Sequence, residues 1–183
     1  MESWDFKAKD GRPILVRHAQ RKDASLLYQG FKEVVSEGKW LPTFTANSSI
    51  SDWLHWIDKT NHSREALLVA FLDGEYAGHL TLQPEEWNAS QHVAKLGIIV
   101  CKDHRNLGVG RSLMTSAEEV AHSRAYFKIV LSTFEDNLAA KHLYTSLGYR
   151  LVGVRKNHFD MPKGFIDEVL MEKELAEAQS RVL

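Results

Sequence analysis

The sequence has little of three features that would each point to a particular class of protein. It holds one cysteine, Cys101, which excludes an internal disulfide and suits a reducing compartment. No stretch approaches the roughly 20 apolar residues of a membrane-spanning helix, and residues 1–5 have no apolar signal-peptide core. Lys and Arg total 23 against 24 Asp and Glu, so no basic surplus points to nucleic acid. These absences predict a cytoplasmic protein that binds neither membranes nor nucleic acid.

The composition is that of an ordinary globular protein. Hydrophobic residues make up 44% and charged residues 26% of the 183 residues. A chain of this length can bury about 70% of the surface that its unfolded state exposes, so one core needs no disulfide or structural metal. We predict a single domain over 1–183, with its core at about 14–173 and a frayed tail at 174–183.

Alternating strand and helix patterns indicate the fold class. Asp23 is a candidate N-cap for the first helix, a second helix starts near Ser51, and Asp73-Gly74 is typical of a tight hairpin turn. The apolar stripe of a later helix starts at Val109, and Gly148 is a natural end for the last helix. The segments 83–91 and 155–165 are predicted to be loops. The element order β-α-α-β-β-β-α-β-α-β-β predicts an α/β (α+β) domain with a mixed sheet. Its predicted strands are 14–18, 67–72, 75–82, 93–100, 127–134, 150–154 and 165–173.

A glycine-containing loop between a strand and a helix is the main candidate for a binding site. Gly108 and Gly110 follow the strand 93–100 and open the helix that begins at Val109. Backbone N–H groups can converge on an anion at such a junction, where the helix dipole also favours negative charge. A tight turn without a ligand is the alternative interpretation. The spacing fits neither an NTPase phosphate loop nor a full dinucleotide fingerprint.

Two spaced motifs carry a family resemblance. Arg105-x-x-Gly108-x-Gly110 resembles the pyrophosphate loop of the GNAT (general-control-related N-acetyltransferase) superfamily. The later run Asn137-x-x-Ala140-x-x-Leu143-Tyr144-x-x-x-Gly148-Tyr149 is similar to a helix of the same superfamily. The resemblance covers about 14–173 and extends to bacterial cytosolic amino-group acetyltransferases. It implies a mostly antiparallel central sheet, flanked by helices and splayed beside the strand 93–100.

The resemblance also implies where acetyl-CoA, the co-substrate, would bind. Its pantetheine arm would pair with strand backbone near Ile98 and Val100, and Asn137 would hydrogen-bond that arm. Tyr144 would lie near the thioester sulfur. The diphosphate would bind the amides of the loop, which comprises Arg105, Asn106, Leu107, Gly108, Val109, Gly110 and Arg111.

Reference pKa values limit what Tyr144 can do. A phenol has a pKa of about 10 and a thiol about 8.5, so full proton transfer to a thiolate is uphill by roughly 2 kcal/mol. We therefore expect Tyr144 to hydrogen-bond the developing thiolate. A backbone N–H near Val100 is expected to stabilise the oxyanion.

The general base is not evident from the sequence. Ala94 and Lys95 stand where many members carry a glutamate, and His79, Glu86 and His92 are candidate relays. An α-amine with a pKa near 8 is partly neutral at pH 7, whereas a lysine-type amine near 10.4 is almost fully protonated. This difference favours an α-amine acceptor.

The predicted activity is acetyl-CoA-dependent N-acetylation of a primary amine, which belongs to an amino acid, a small amine or a peptide N-terminus. The alternative is a catalytically silent acyl-CoA sensor. No ligand cluster predicts a metal site, because Cys101 and His104 alone do not hold zinc. The acceptor, the strictness for acetyl and the oligomeric state, with a homodimer as one option, stay open.

Overall fold

The computed structural model describes residues 2–60 and 63–175. Within these residues the chain forms eight β-strands and four α-helices, joined by turns and short 3-10 segments. In chain order they are β1 Ser3–Lys7, β2 Pro13–His18, α1 Ala24–Ser36, α2 Ile50–Thr60, β3 Ala66–Leu72, β4 Glu75–Pro84, β5 Val93–Val100, α3 Val109–Ser123, β6 Lys128–Phe134, α4 Leu138–Ser146, β7 Arg150–Met161 and β8 Gly164–Glu174.

The chain divides into two compact units. The first comprises the residues up to Gln83 together with Gly97–Val120, and the second comprises Pro84–Leu96 and the residues from Ala121 on. In the first unit, β1 to β4 form an antiparallel meander and the end of β5 adjoins β4. Helices α1 and α2 bury their apolar sides on this sheet, where each fully buried leucine or isoleucine contributes roughly 1.5–3 kcal/mol. The residues of this core are Ala19, Ala24, Leu27, Trp53, Ile57, Leu67 and Val69.

The second unit contains the start of β5 and the last three strands. β5 runs parallel to β6, with register pairs from Val93–Lys128 to Lys95–Val130. β6 continues antiparallel to β8 as far as Phe134, and β7 is the outer strand on β8. The register of β5 with β6 covers Val93 to Lys95. The α/β class and the mostly antiparallel mixed sheet are confirmed.

Several local predictions are confirmed by backbone geometry. Asp73 and Gly74 have φ of 50° and 83°, as a two-residue hairpin turn of positive φ requires. The predicted stripe of α3 is fully buried, with exposures of 0–1%; it consists of Val109, Leu113, Ala117, Val120 and Ala121. Gly148 follows α4 with φ of 87° and donates its N–H to the carbonyl of Thr145.

Two segments differ from the prediction. Strand β1 was missed: its alternating Trp4 and Phe6 are half-buried beside β2, but the run is short and begins the described chain. The segment 155–165 is not a loop, because β7 extends to Met161 and β8 starts at Gly164. Its polar run looks like a loop, yet a register irregularity between Arg155 and Phe159 lets the hairpin continue. The predicted frayed tail lies beyond Leu175, outside the described residues.

Asp23 stands at the predicted N-cap position of α1, but its side chain has another role. Its side chain does not cap α1 but accepts two hydrogen bonds from the Arg17 guanidinium, at 2.7 and 3.0 Å. It also accepts from the backbone N–H of Gln20 at 2.7 Å. A buried carboxylate needs a charged partner more than a helix end needs a cap, and Arg17 supplies one.

None of the helices in the described part of the chain has the length and apolar character that a bilayer crossing requires.

Candidate active site

The predicted phosphate loop follows β5 directly in the first unit. After a single 3-10 turn at Lys102–His104, Asn106 and Gly108 take positive φ of 63° and 106°. Asparagine and glycine are the residues that tolerate such a backbone best. The carbonyl of Leu107 accepts from the N–H of Lys9 at 3.0 Å, which ties the loop to the β1–β2 turn. These features stabilise this conformation of the loop.

The loop amides are available to an anion. Within residues 2–60 and 63–175, no hydrogen-bond acceptor engages the backbone N–H groups of Asn106, Leu107, Gly108, Val109 or Gly110. The first hydrogen bond of α3 runs from Ser112 N–H to the Gly108 carbonyl, so these donors precede the ladder of a 15-residue helix. The positive end of the helix dipole adds its attraction. Consecutive free donors at this point fit a diphosphate, as the coenzyme requires.

Strand β5 leads into this loop. Ile98 and Val100 are half-buried, and the carbonyl of Val100 accepts from Nε of Arg105 at 3.0 Å. The Val100 carbonyl is therefore occupied by the loop's own arginine. Gly78 of β4 makes the approach of β4 to β5 possible, because a Cβ there would lie 2.3 Å from the carbonyl oxygen of Ile99.

Helix α4 of the second unit carries Asn137 and Tyr144. Asn137 is the N-cap, and its Oδ1 accepts from Ala140 N–H at 3.2 Å, a role that the sequence analysis did not assign. Tyr144 is 5% exposed, and its carbonyl accepts from Tyr149 N–H at 3.0 Å in the turn that Gly148 makes. Burial raises the pKa of Tyr144 to about 12. A phenol with this pKa keeps its proton at neutral pH.

His79 lies on β4 in a buried aromatic cluster. It is 4% exposed, its Nδ1 is 2.6 Å from the hydroxyl of Tyr76, and its ring meets Trp53 edge-on at 5.2 Å. Burial lowers the pKa of His79 to about 3 and raises that of Tyr76, so both groups are neutral near pH 7. Tyr76 therefore donates to Nδ1, and the imidazole proton resides on Nε2. His79 in this state is a hydrogen-bonding group and a weak base.

The buried His79 predicts an acid-sensitive stability. Its pKa is lower in the fold than the 6.5 of an exposed histidine, so its contribution is complete above pH 6.5 and is lost as the pH falls towards 3. The loss is about 1.4 kcal/mol per pH unit. We expect His79→Gln, which keeps an acceptor for Tyr76, to reduce the fall in unfolding free energy between pH 6.5 and 4.5 by about 2–3 kcal/mol. Urea unfolding at several pH values measures this slope, with the exposed His142→Gln as control. Identical slopes for His79→Gln and wild type would contradict it.

The other candidate relays lie in the second unit. Glu86 is exposed in the segment between β4 and β5, and His92 is half-buried with its ring 6.3 Å from that of Phe127. Their roles, like that of His79, stay predictions. Cys101 is buried, and burial raises its pKa to about 11, which suits a bystander rather than a nucleophile.

Two groups near the site were not predicted from the sequence. Tyr76 is one of them. Its ring packs so closely on Gly30 of α1 that a Cβ at Gly30 would lie 2.4 Å from Cε1 of the tyrosine. Glu37 was also missed: it forms an ion pair with Arg105 across 68 positions of sequence. No sequence pattern marks either contact, because each joins elements that are distant along the chain.

Comparisons with known proteins show the family of the chain. The model of the family described as "Acetyltransferase (GNAT) family" matches residues 34–149. The chain is 26% identical over 161 residues to the L-amino acid N-acetyltransferase AaaT of Escherichia coli K12, covering 87% of this chain and 97% of that protein. A GNAT-family acetyltransferase structure from Streptococcus pneumoniae superposes with a TM-score of 0.82 at 27% identity, covering 88% and 99% of the two chains.

A further structure shares the fold at lower identity. It is a GNAT superfamily phosphinothricin acetyltransferase from Sinorhizobium meliloti in complex with acetyl-CoA, with a TM-score of 0.82 at 16% identity, covering 93% of this chain and 89% of that one. The match to the family extends over more than half of the chain, and it includes the loop with its unpaired amides and the helix that carries Tyr144. The chain therefore belongs to the GNAT family and is an acetyl-CoA-dependent N-acetyltransferase.

Proposed function

We propose that this enzyme acetylates the α-amine of an amino acid or of a similarly small primary amine. The observation that carries the proposal is the row of five loop amides at the start of α3, which fits the diphosphate of acetyl-CoA. The acceptor class is supported by the name of the Escherichia coli relative, which acts on L-amino acids. The acceptor class is supported independently by the pKa of α-amines, which leaves them partly neutral at pH 7.

The residues of this chain would divide the binding of acetyl-CoA as follows. The amides of Asn106–Gly110, with Arg111 on the same helix turn, would hold the diphosphate, and β5 backbone at Ile98 and Val100 would pair with the pantetheine arm. The carbonyl of Val100 is used by Arg105, and its N–H would serve the coenzyme or the developing oxyanion. Asn137 uses Oδ1 as a cap and would offer Nδ2 to the arm. Bound acetyl-CoA supplies the activated acetyl group.

Tyr144 would act as a hydrogen-bond donor. With its pKa at about 12, complete transfer of its proton to a thiolate would be uphill by roughly 5 kcal/mol. A hydrogen bond from Oη to developing negative charge needs no such transfer and is strong when the acceptor is charged. The buried hydroxyl would thus stabilise the leaving group without becoming ionised.

Deprotonation of the amine would go through water. Neither Ala94 nor Lys95 offers a carboxylate, and the buried His79 is too weak a base to hold a proton at pH 7. Glu86 and His92 stay the candidate relays. An α-amine needs the least help from such relays, which is why we favour it over a side-chain ammonium. We further propose a cytoplasmic location and leave a homodimer as an option to test.

The test is a screen for release of free thiol from acetyl-CoA. The panel contains L-amino acids, polyamines, aminoglycosides and short peptides with free or blocked N-termini at pH 7.5. We expect amine-dependent thiol release, with an L-amino acid or another α-amine as the best substrate. A strong preference for side-chain ammonium groups would contradict the proposed acceptor class, and coenzyme binding without any amine-dependent release would favour a silent sensor.

A further inference from the structure

The side chain of Arg105 does not point to solvent but to the end of α1. Its Nη1 donates to Glu37 at 2.7 Å and its Nη2 contacts the second carboxylate oxygen of the same residue. The guanidinium also lies 5.1 Å from the ring centroid of Trp40. Trp40 in turn donates its Nε1–H to Glu37 at 2.6 Å. We call these three residues the Arg105 cluster; all of them belong to the first unit.

The contacts of the Arg105 cluster offset the charge of the arginine within the protein. The bidentate pair with Glu37 uses both terminal nitrogens, and Nε is used by the carbonyl of Val100. The side chains of Arg105 and Glu37 are 25% and 21% exposed, and the guanidinium lowers the pKa of Glu37. A guanidinium whose three nitrogens all donate within the protein has two of its five N–H donors left for a phosphate.

The position of Glu37 at the end of α1 also supports a role for its ion pair with Arg105. It is the residue at the C-terminal end of α1, where the helix dipole disfavours a carboxylate. Arg105 compensates this unfavourable charge. The same ion pair fixes the Arg105 side chain to a residue 68 positions away in the sequence. The backbone of Arg105 opens the loop whose next five residues offer their amides.

We propose that Arg105 is a positioning residue: through Glu37 and Trp40 it fixes the start of the loop, so that the following amides face the diphosphate. This inference rests on the proposed coenzyme site. If Arg105 bound the phosphate directly, the carboxylate of Glu37 would compete with the phosphate for the guanidinium. If Arg105 is a positioning residue, the same carboxylate supports coenzyme binding. The two alternatives therefore predict opposite effects when Glu37 loses its charge.

Titration calorimetry with coenzyme A separates these alternatives. If Arg105 were a phosphate ligand restrained by Glu37, Glu37→Gln would free it and strengthen binding. If Arg105 is a positioning residue, Glu37→Gln weakens binding by about fivefold or more, the equivalent of about 1 kcal/mol. The double variant Glu37→Gln/Arg105→Gln then binds no more weakly than Arg105→Gln alone, because both changes break the same Arg105–Glu37 ion pair. Trp40→Phe, which loses the indole donor and part of the ring that Arg105 faces, gives a smaller weakening in the same direction.

Glu33→Gln is the matched control. It removes the same charge from the same helix, and Glu33, like Glu37, acts electrostatically on Cys101, but no hydrogen bond joins it to Arg105 in the described residues. We expect coenzyme affinity in this variant to equal or exceed that of wild type. In steady-state assays, Glu37→Gln should raise the KM for acetyl-CoA about fivefold with kcat at saturation within about twofold of wild type.

Tighter or unchanged binding in Glu37→Gln, or an additive loss in the double variant, would overturn the inference while leaving the coenzyme site intact. Absence of coenzyme binding by the wild-type protein would instead contradict the proposed function itself. Thermal unfolding of each variant without ligand verifies that the comparison is made on folded protein.

Discussion

Replacement of Tyr144 by phenylalanine is expected to lower kcat by roughly 10- to 100-fold, which is the range for one hydrogen bond to a charged group. The aromatic ring stays, so the packing of Tyr144 against Tyr149, with ring centroids 6.1 Å apart, is preserved. The affinity for acetyl-CoA should change by less than about twofold, because the lost hydroxyl acts on charge that develops only during the reaction. Thiol release at saturating substrates measures kcat, and calorimetry measures the affinity.

Tyr28→Phe is the control for this change. Tyr28 packs against the core of the first unit and has no part in the proposed chemistry, so turnover should be close to wild type. An unaltered kcat in Tyr144→Phe would refute the donor role. A large rise in the KM for acetyl-CoA at constant kcat would point to binding of the ground state instead.

Replacement of Gly108 by alanine should remove most of the coenzyme affinity. A φ of 106° is strained for any residue with a Cβ, at a cost of roughly 1–3 kcal/mol. The nearest atom to such a Cβ is the Cδ1 of Ile14 at 3.9 Å, so backbone strain and not collision is the cause. The loop can relieve the strain by rotating peptide groups, which turns amides away from the diphosphate. We expect the Kd for coenzyme A to rise at least about tenfold, a loss of about 1.4 kcal/mol.

Gly74→Ala is the matched control for backbone strain. Gly74 also has positive φ, 83°, with no atom within 4 Å of a Cβ, but it lies in the β3–β4 turn. Both variants should lose thermal stability to a similar extent, whereas only Gly108→Ala should lose coenzyme affinity. Equal Kd values for Gly108→Ala and wild type would mean that the conformation of this loop does not determine binding.

Local sequence signals were sufficient for most of the fold. Asp73-Gly74, Gly148 and the stripe from Val109 to Ala121 each depend on neighbours within one turn of chain, and all three appear as predicted. Strand β1 and the full length of β7 were not found, because both are decided by pairing with another strand and not by their own pattern. The side-chain role of Asp23 was not predicted for the same reason, since its partner Arg17 lies on the preceding strand.

The candidate site shows the same division. The loop 105–111 and the helix with Asn137 and Tyr144 are visible in sequence because glycine spacing and helix ends are local. The partners that tune them are not: burial sets the protonation of His79 and Tyr144, and Glu37 meets Arg105 only through the fold. Sequence thus indicates which residues are candidates for the chemistry, and the three-dimensional contacts determine their charge and orientation.

Main-chain donors at the start of α3 are proposed to hold the diphosphate of the coenzyme. The most direct measurement is a calorimetric comparison of coenzyme A with pantetheine, which lacks the diphosphate and the nucleotide, supplemented by adenosine 3′,5′-bisphosphate, which keeps only the 5′-phosphate of the diphosphate and lacks the arm. We predict saturable binding of coenzyme A and binding of each fragment at least about 100-fold weaker, a difference of about 2.7 kcal/mol. If pantetheine bound as tightly as coenzyme A, the amides of Asn106–Gly110 would not be the anchor, and the account of this site would be wrong.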